Sequence, residues 1–132
     1  MDYIDVKSAL ITSGTGASEG IASGSFGSAI GSIYKIEVEN DATSTPTNDW
    51  DLTIYSGTVG GPDYEAFFTE ETIANTKTSK IVYYPRKKVD LQDGTASTIT
   101  EEPCMIFNRE LKYVCANMGD TKIAKVKVFI VR

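Results

Sequence analysis

Side chains that ordinarily carry chemistry are sparse in this sequence, and histidine is missing altogether. That removes the commonest general base, the commonest metal ligand and every Ser-His or Cys-His nucleophile arrangement. Carboxylate, tyrosine and lysine chemistry remains, but it needs convergence in a pocket, which no spacing here announces. The expectation is therefore a protein that is not an enzyme and holds no cofactor. Asp41, Asp49 and Asp51, with Asn48, are the closest approach to a calcium loop. They lack its glycine turn and its terminal glutamate, so turn chemistry is the better account and no metal site is expected. Cys104 and Cys115 make neither a CxxC pair nor a zinc spacing, and buried thiols are the expectation for both.

Two other groupings invite a functional reading. Thr15-Gly16-Ala17-Ser18-Glu19-Gly20-Ile21 superficially resembles the cofactor loop of short-chain dehydrogenases, and Tyr84 with Lys88 even supplies a YxxxK spacing. The rest of the chain refuses it: a dinucleotide fold alternates strands with helices, Pro85 would break a helix carrying Tyr84 and Lys88, and Ala22 stands where the motif wants glycine. Arg86-Lys87-Lys88 is the only concentrated positive charge in an acidic chain. It reads as a solvated strand end or as a contact with an acidic neighbour.

The elements that must position these residues are strands. From Leu111 to Arg132 the pattern reads as a closing hairpin around Met118-Gly119-Asp120. Its second arm sets Ala124, Val126, Val128 and Ile130 on one face, and from Val128 to Val131 it is apolar on both, as in a strand covered on both sides. Pro103 to Phe107 is read as the preceding strand, turning at Asn108-Arg109-Glu110, a register that would set Cys104 opposite Cys115. Upstream, Ile4, Val6 and Leu10 alternate with Asp5 and Lys7 in a first strand that suits a sheet edge or a partner-donated arm. Ser13 to Ser32 holds six of the eleven glycines, so a flexible loop with a weak strand around Ile21 to Phe26 is expected. If that segment orders only against a partner, Tyr3, Ile4 and Phe26 are its contact residues.

In the middle of the chain, Tyr34, Ile36 and Val38 alternate with Lys35 and Glu37, and Trp50, Leu52 and Ile54 alternate with Asp51, Thr53 and Tyr55. Trp50 reads as a core anchor rather than a stacking platform. A single helical turn fits Glu70 to Asn75, capped by Thr69. Lys80 to Arg86 is a strand stopped by Pro85, and Asp93-Gly94 marks a turn. Together these give an all-β fold, an antiparallel β-sandwich or barrel of about eight strands. The organisation expected is an N-terminal strand and Gly/Ser-rich arm over 1–32 and a sandwich over 33–132.

Size and charge agree. A chain of 132 residues suits one domain. A net charge of −5 disfavours an electrostatic grip on nucleic acid or anionic lipid. No apolar run reaches span length and no charged-then-apolar leader follows Met1, so a soluble protein made in the cytoplasm is expected.

The order IGSIYKIEVEN, DWDLTIYSG, IVYYPRKKVDLQDGT and LKYVCANMGDTKIAKVKVFIV, over Gly31 to Arg132, resembles small β-rich structural proteins of tailed bacteriophages encoded among head genes. The resemblance implies a virion component made in the host bacterial cytoplasm, a capsid decoration or cement protein on the capsid surface. It would bind the major capsid protein or other head proteins, as a homo-oligomer, with trimers at quasi-threefold positions. A head-tail junction component is the near alternative, and a carbohydrate-binding or adhesion module using Tyr55, Tyr64, Tyr83, Tyr84 or Trp50 comes from another class. The adhesion reading predicts those aromatics exposed in one groove; the virion reading predicts them buried or in a protein interface.

Overall fold

Antiparallel pairing organises everything in the computed structural model, which describes residues 4–15, 20–76, 79–90 and 96–132, with backbone alone at 87–90 and 96–103. The strands are β1 (Ile4–Thr12), β2 (Ala22–Asn40), β3 (Trp50–Ser56), β4 (Glu65–Ile73), β5 (Ile81–Tyr83), β6 (Arg86–Asp90), β7 (Ala96–Ala116) and β8 (Ile123–Val131). The main sheet runs β1-β8-β2-β7-β3-β4, with β5 on the second half of β2 and β6 on the first part of β7. The all-β antiparallel architecture read from the sequence is what the chain adopts. The sheet is folded over but not closed.

That folding is visible in contacts between strands that are not neighbours. The Trp50 indole on β3 donates to Asn40 Oδ1 at the end of β2 across 2.9 Å, although β7 lies between those strands. Phe68 of β4 sits 5.1 Å from the Tyr83 ring of β5, and the Cys104 thiol of β7 donates to the Phe67 carbonyl. One core results, walled by Ile36 and Val38 of β2, Leu52 and Ile54 of β3, Ile106 and Leu111 of β7, and Val126 to Ile130 of β8. Alternation explains which face each strand buries: Trp50, Leu52, Ile54 and Ala124, Val126, Val128, Ile130 are all fully buried, as the pattern predicts.

The closing hairpin is not formed. β8 pairs with β1 and β2, whereas 111–116 pairs with β2 and β3, so β2 is inserted between the two arms. The connection carries Asn117, Gly119 and Thr121 at positive φ and crosses between layers, because both arms have an apolar face to bury against the other. The turn expected at Asn108-Arg109-Glu110 is absent as well. β7 runs straight through it as one strand of 21 residues, with Asn108 at φ 52° absorbing a bulge opposite Ala29 to Gly31. That extra residue changes the parity, so that Cys104 and Ile106 before it and Leu111, Tyr113 and Cys115 after it all face the core. Cys104 and Cys115 are therefore far apart on one strand rather than cross-strand neighbours, and both are buried thiols.

Two upstream expectations also change. The weak strand at Ile21 to Phe26 is the beginning of a 19-residue strand that crosses the 32/33 boundary, because Ala22 to Ile33 pairs with β7 through two register shifts. The helical turn at Glu70 to Asn75 gives way to β4, whose Phe67 and Ile73 reach the core only from an extended backbone.

Candidate functional site

The residues singled out for chemistry are engaged in turns and pairs. Asp41 Oδ2 accepts from the amides of Thr43 and Ser44, Asp49 Oδ1 from the amide of Asn75, and Asp51 Oδ2 from the Asn117 side chain. These three carboxylates point into three different hydrogen-bonding networks, which is turn and strand-end chemistry. Burial, with the nearby charge of Asp51, pushes the Cys115 thiol up to about 12, so it is not a thiolate at neutral pH. Trp50 is sealed in the core, where its one donor is satisfied by Asn40.

Of the predicted contact residues, Tyr3 lies outside the described residues. Ile4 is 55% exposed on β1. Phe26 belongs to this chain's own core, its ring edge-on to Tyr113 at 5.3 Å. Arg86 is exposed and donates to the Pro85 carbonyl. The backbone register sets Lys87 and Lys88 opposite Glu102 and Glu101 on β7.

What the structure assembles instead is an apolar outer face. Residues directly opposed in an antiparallel ladder point to the same side. The register Ile4↔Val131, Val131↔Ser32 and Ser32↔Met105 therefore lays one row across β1, β8, β2 and β7 on the side away from the core. A second row, Val6↔Phe129↔Lys35, lies beside it. Phe107 follows two residues after Met105 and is 71% exposed. Tyr34 and Tyr84, both exposed, extend the face towards β5 with their rings 6.2 Å apart.

Polar groups punctuate this face without breaking it. Lys35 holds its ammonium 4.6 Å from the centre of the Phe129 ring and 3.0 Å from Glu37 Oε2, and Lys80 lies 3.5 Å from the other Glu37 oxygen. Burial pushes the Glu37 carboxyl up, but the hydrogen bond and charge of Lys35, joined by Lys80, outweigh it and hold the group below its ordinary range. The hydrogen bond to Glu37 in turn holds Lys35 above its ordinary value. The opposite outer surface, over β3 and the end of β7, is of another character. There Asp51, Thr53, Tyr55 and Lys112 point outward, and Arg109 bridges Glu65 at 3.1 Å.

Sequence reasoning found these apolar residues strand by strand but did not join them into one surface. Ile4, Val6 and Leu10 read as the apolar side of an edge strand or partner-donated arm; in the structure they face outward, and the inner side is Asp5, Lys7, Ala9 and Ile11, of which Ile11 is fully buried. The usable signal was Cys104 to Phe107, four apolar residues in succession, with the doubly apolar end of β8.

The chain matches no protein-family model and no curated protein sequence.

Proposed function

We propose that this is a non-enzymatic structural protein of a tailed-phage head, a capsid decoration or cement protein that binds the shell through protein-protein contacts. The observation that carries the reading is the outward apolar face across β1, β8, β2 and β7. Contiguous apolar surface of this kind, interrupted by a few fixed charges, is what a permanent protein partner covers. The resemblance of the segments from Gly31 onward to phage head proteins supplies the identity of that partner, the major capsid protein or another head protein. Of the aromatics that an adhesion module would use, Trp50 is sealed in the core and Tyr55 and Tyr83 are half-buried, which leaves Tyr64 and Tyr84 exposed.

The test is to mix the purified protein with phage-like capsid shells and image them by negative-stain microscopy, with binding quantified by co-sedimentation. Saturable decoration of the lattice is expected, and replacing both exposed residues Met105 and Phe107 with Asp should weaken it at least about tenfold. A single ring at one vertex would assign the protein to the head-tail junction. Indifference to shells combined with retention on a glycan array would overturn the virion reading in favour of an adhesion module.

A further inference from the structure

The edge strand β1 pairs only with β8 among the described residues, and its other side presents backbone donors and acceptors along nine residues that include no proline. Natural edges of that length are usually guarded, and β1 has one apparent guard, the inward-facing Lys7. Its neighbour two residues back, Asp5, faces the same way and lies 3.3 Å from it. On the outward side stand Ile4, Val6 and Leu10, which are 55%, 45% and 67% exposed. An edge with apolar residues outside and one charge of each sign inside carries the complement of itself.

We infer that β1 pairs antiparallel with β1 of a second copy of this chain, about a twofold axis at Val6. The register follows from elimination. Keeping both cores on the same side of the seam requires residues of like parity to oppose each other. Centring on Asp5 sets two aspartates face to face, and centring on Lys7 does the same with two lysines. Centring on Ser8 drives Asp5 against Ile11, a fully buried position where a carboxylate has no partner. Centring on Val6 places each Asp5 opposite Lys7 of the other copy, twice by symmetry, with Val6 against Val6 at the axis. Ile4 then lies opposite Ser8 of the other copy, beside Val6 on the outer side of the seam. The two sheets become one, and each copy's outer face joins that of its mate in an isologous contact.

This inference takes up the homo-oligomer that the resemblance implies, as a dimer in place of a trimer, and it is tested without shells, so it and the proposed function can fail separately. Sedimentation velocity on the full chain should show a concentration-dependent dimer. Asp5→Lys and Lys7→Asp each put two pairs of like charges across the seam and should weaken self-association at least about tenfold. The two variants mixed in equal amounts should recover it as a heterodimer in native mass spectrometry, because each then supplies the charge that the other lacks. Recovery by mixing is not available to variants that merely disturb their own fold. Val6→Lys, at an exposed position on the axis, provides a variant that leaves the inward charges intact and should also dissociate the dimer. A wild-type protein that stays monomeric, variants that associate like wild type, or a mixture that fails to pair would each overturn the inference.

Discussion

The two halves of β2 make the same structure from opposite materials. Tyr34 to Asn40 is rich in β-branched and long side chains, is flanked by β8 on one side and β5 on the other, and buries Ile36 and Val38 completely. Ala22 to Gly31 is glycine, serine and alanine with few anchors, and its described pairing is to β7 alone. Local propensity is enough to account for the first. The second is a strand because β7 lies beside it and because Phe26 and Ala29 reach the core. Two departures from ladder geometry let so small a set of anchors suffice: an extra residue at Phe26, followed by Gly27 at φ 89°, and Gly31 at φ 132°. The lesson is that glycine here marks where a long strand must bend over a core, rather than where the chain is free.

The comparison can be broken most forcefully at the second half. Trp50→Ala empties the largest buried site and removes the indole donor to Asn40 Oδ1 at the end of β2. A loss of about 3–5 kcal/mol in chemical denaturation is expected. Phe26→Ala, the matching change in the first half, should cost about 3 kcal/mol, because its ring is slightly exposed but stacks edge-on to Tyr113. A cost below about 1 kcal/mol would mean that Ala22 to Gly31 contributes little to the fold.

Glycine substitutions sharpen the contrast. A Cβ at Gly31 would lie 2.5 Å from the Val131 carbonyl oxygen, a backbone atom that can yield only if β8 shifts. Gly31→Ala should cost about 1–3 kcal/mol in thermal or urea unfolding. Gly27 has open space around it, so Gly27→Ala meets only the penalty of positive φ, about 1–2 kcal/mol. Equal costs at the two positions would remove the steric part of the argument.

The smallest effect is electrostatic. Glu37 is held below its ordinary value of 4.5, so its contribution to stability is present above that pH and is lost as pH falls through the folded-state value. The melting temperature should therefore decline on acidification below about pH 4.5, and Glu37→Gln should flatten that decline. An unchanged acid limb in the variant would assign the decline to other carboxylates.

Legibility in the sequence tracked how local the deciding interaction is. The buried faces of β3 and β8 and the role of Trp50 could be read from alternation alone, since each strand's own pattern says which side is apolar. The course of β7 could not. Asn108-Arg109-Glu110 has turn residues, and only pairing with a strand some 80 positions earlier makes it a bulge. The same holds for β1, whose apolar side faces out because the inner side is set by Ile11 and by the register with β8. The outer apolar face was legible residue by residue but not as a surface, because its rows exist only once four strands from distant parts of the chain are laid side by side.

The position of β8 between β1 and β2 has a consequence for biosynthesis. Ile4 lies directly opposite Val131, so among the described residues β1 has no neighbour in the sheet until β8 has been made. Until then one wall of the interior, from Ala124 to Ile130, does not exist, and the nascent polypeptide carries an open apolar trough. Pairings that join such distant parts of the chain favour slow folding, and the trough stays exposed to neighbouring chains until β8 closes it.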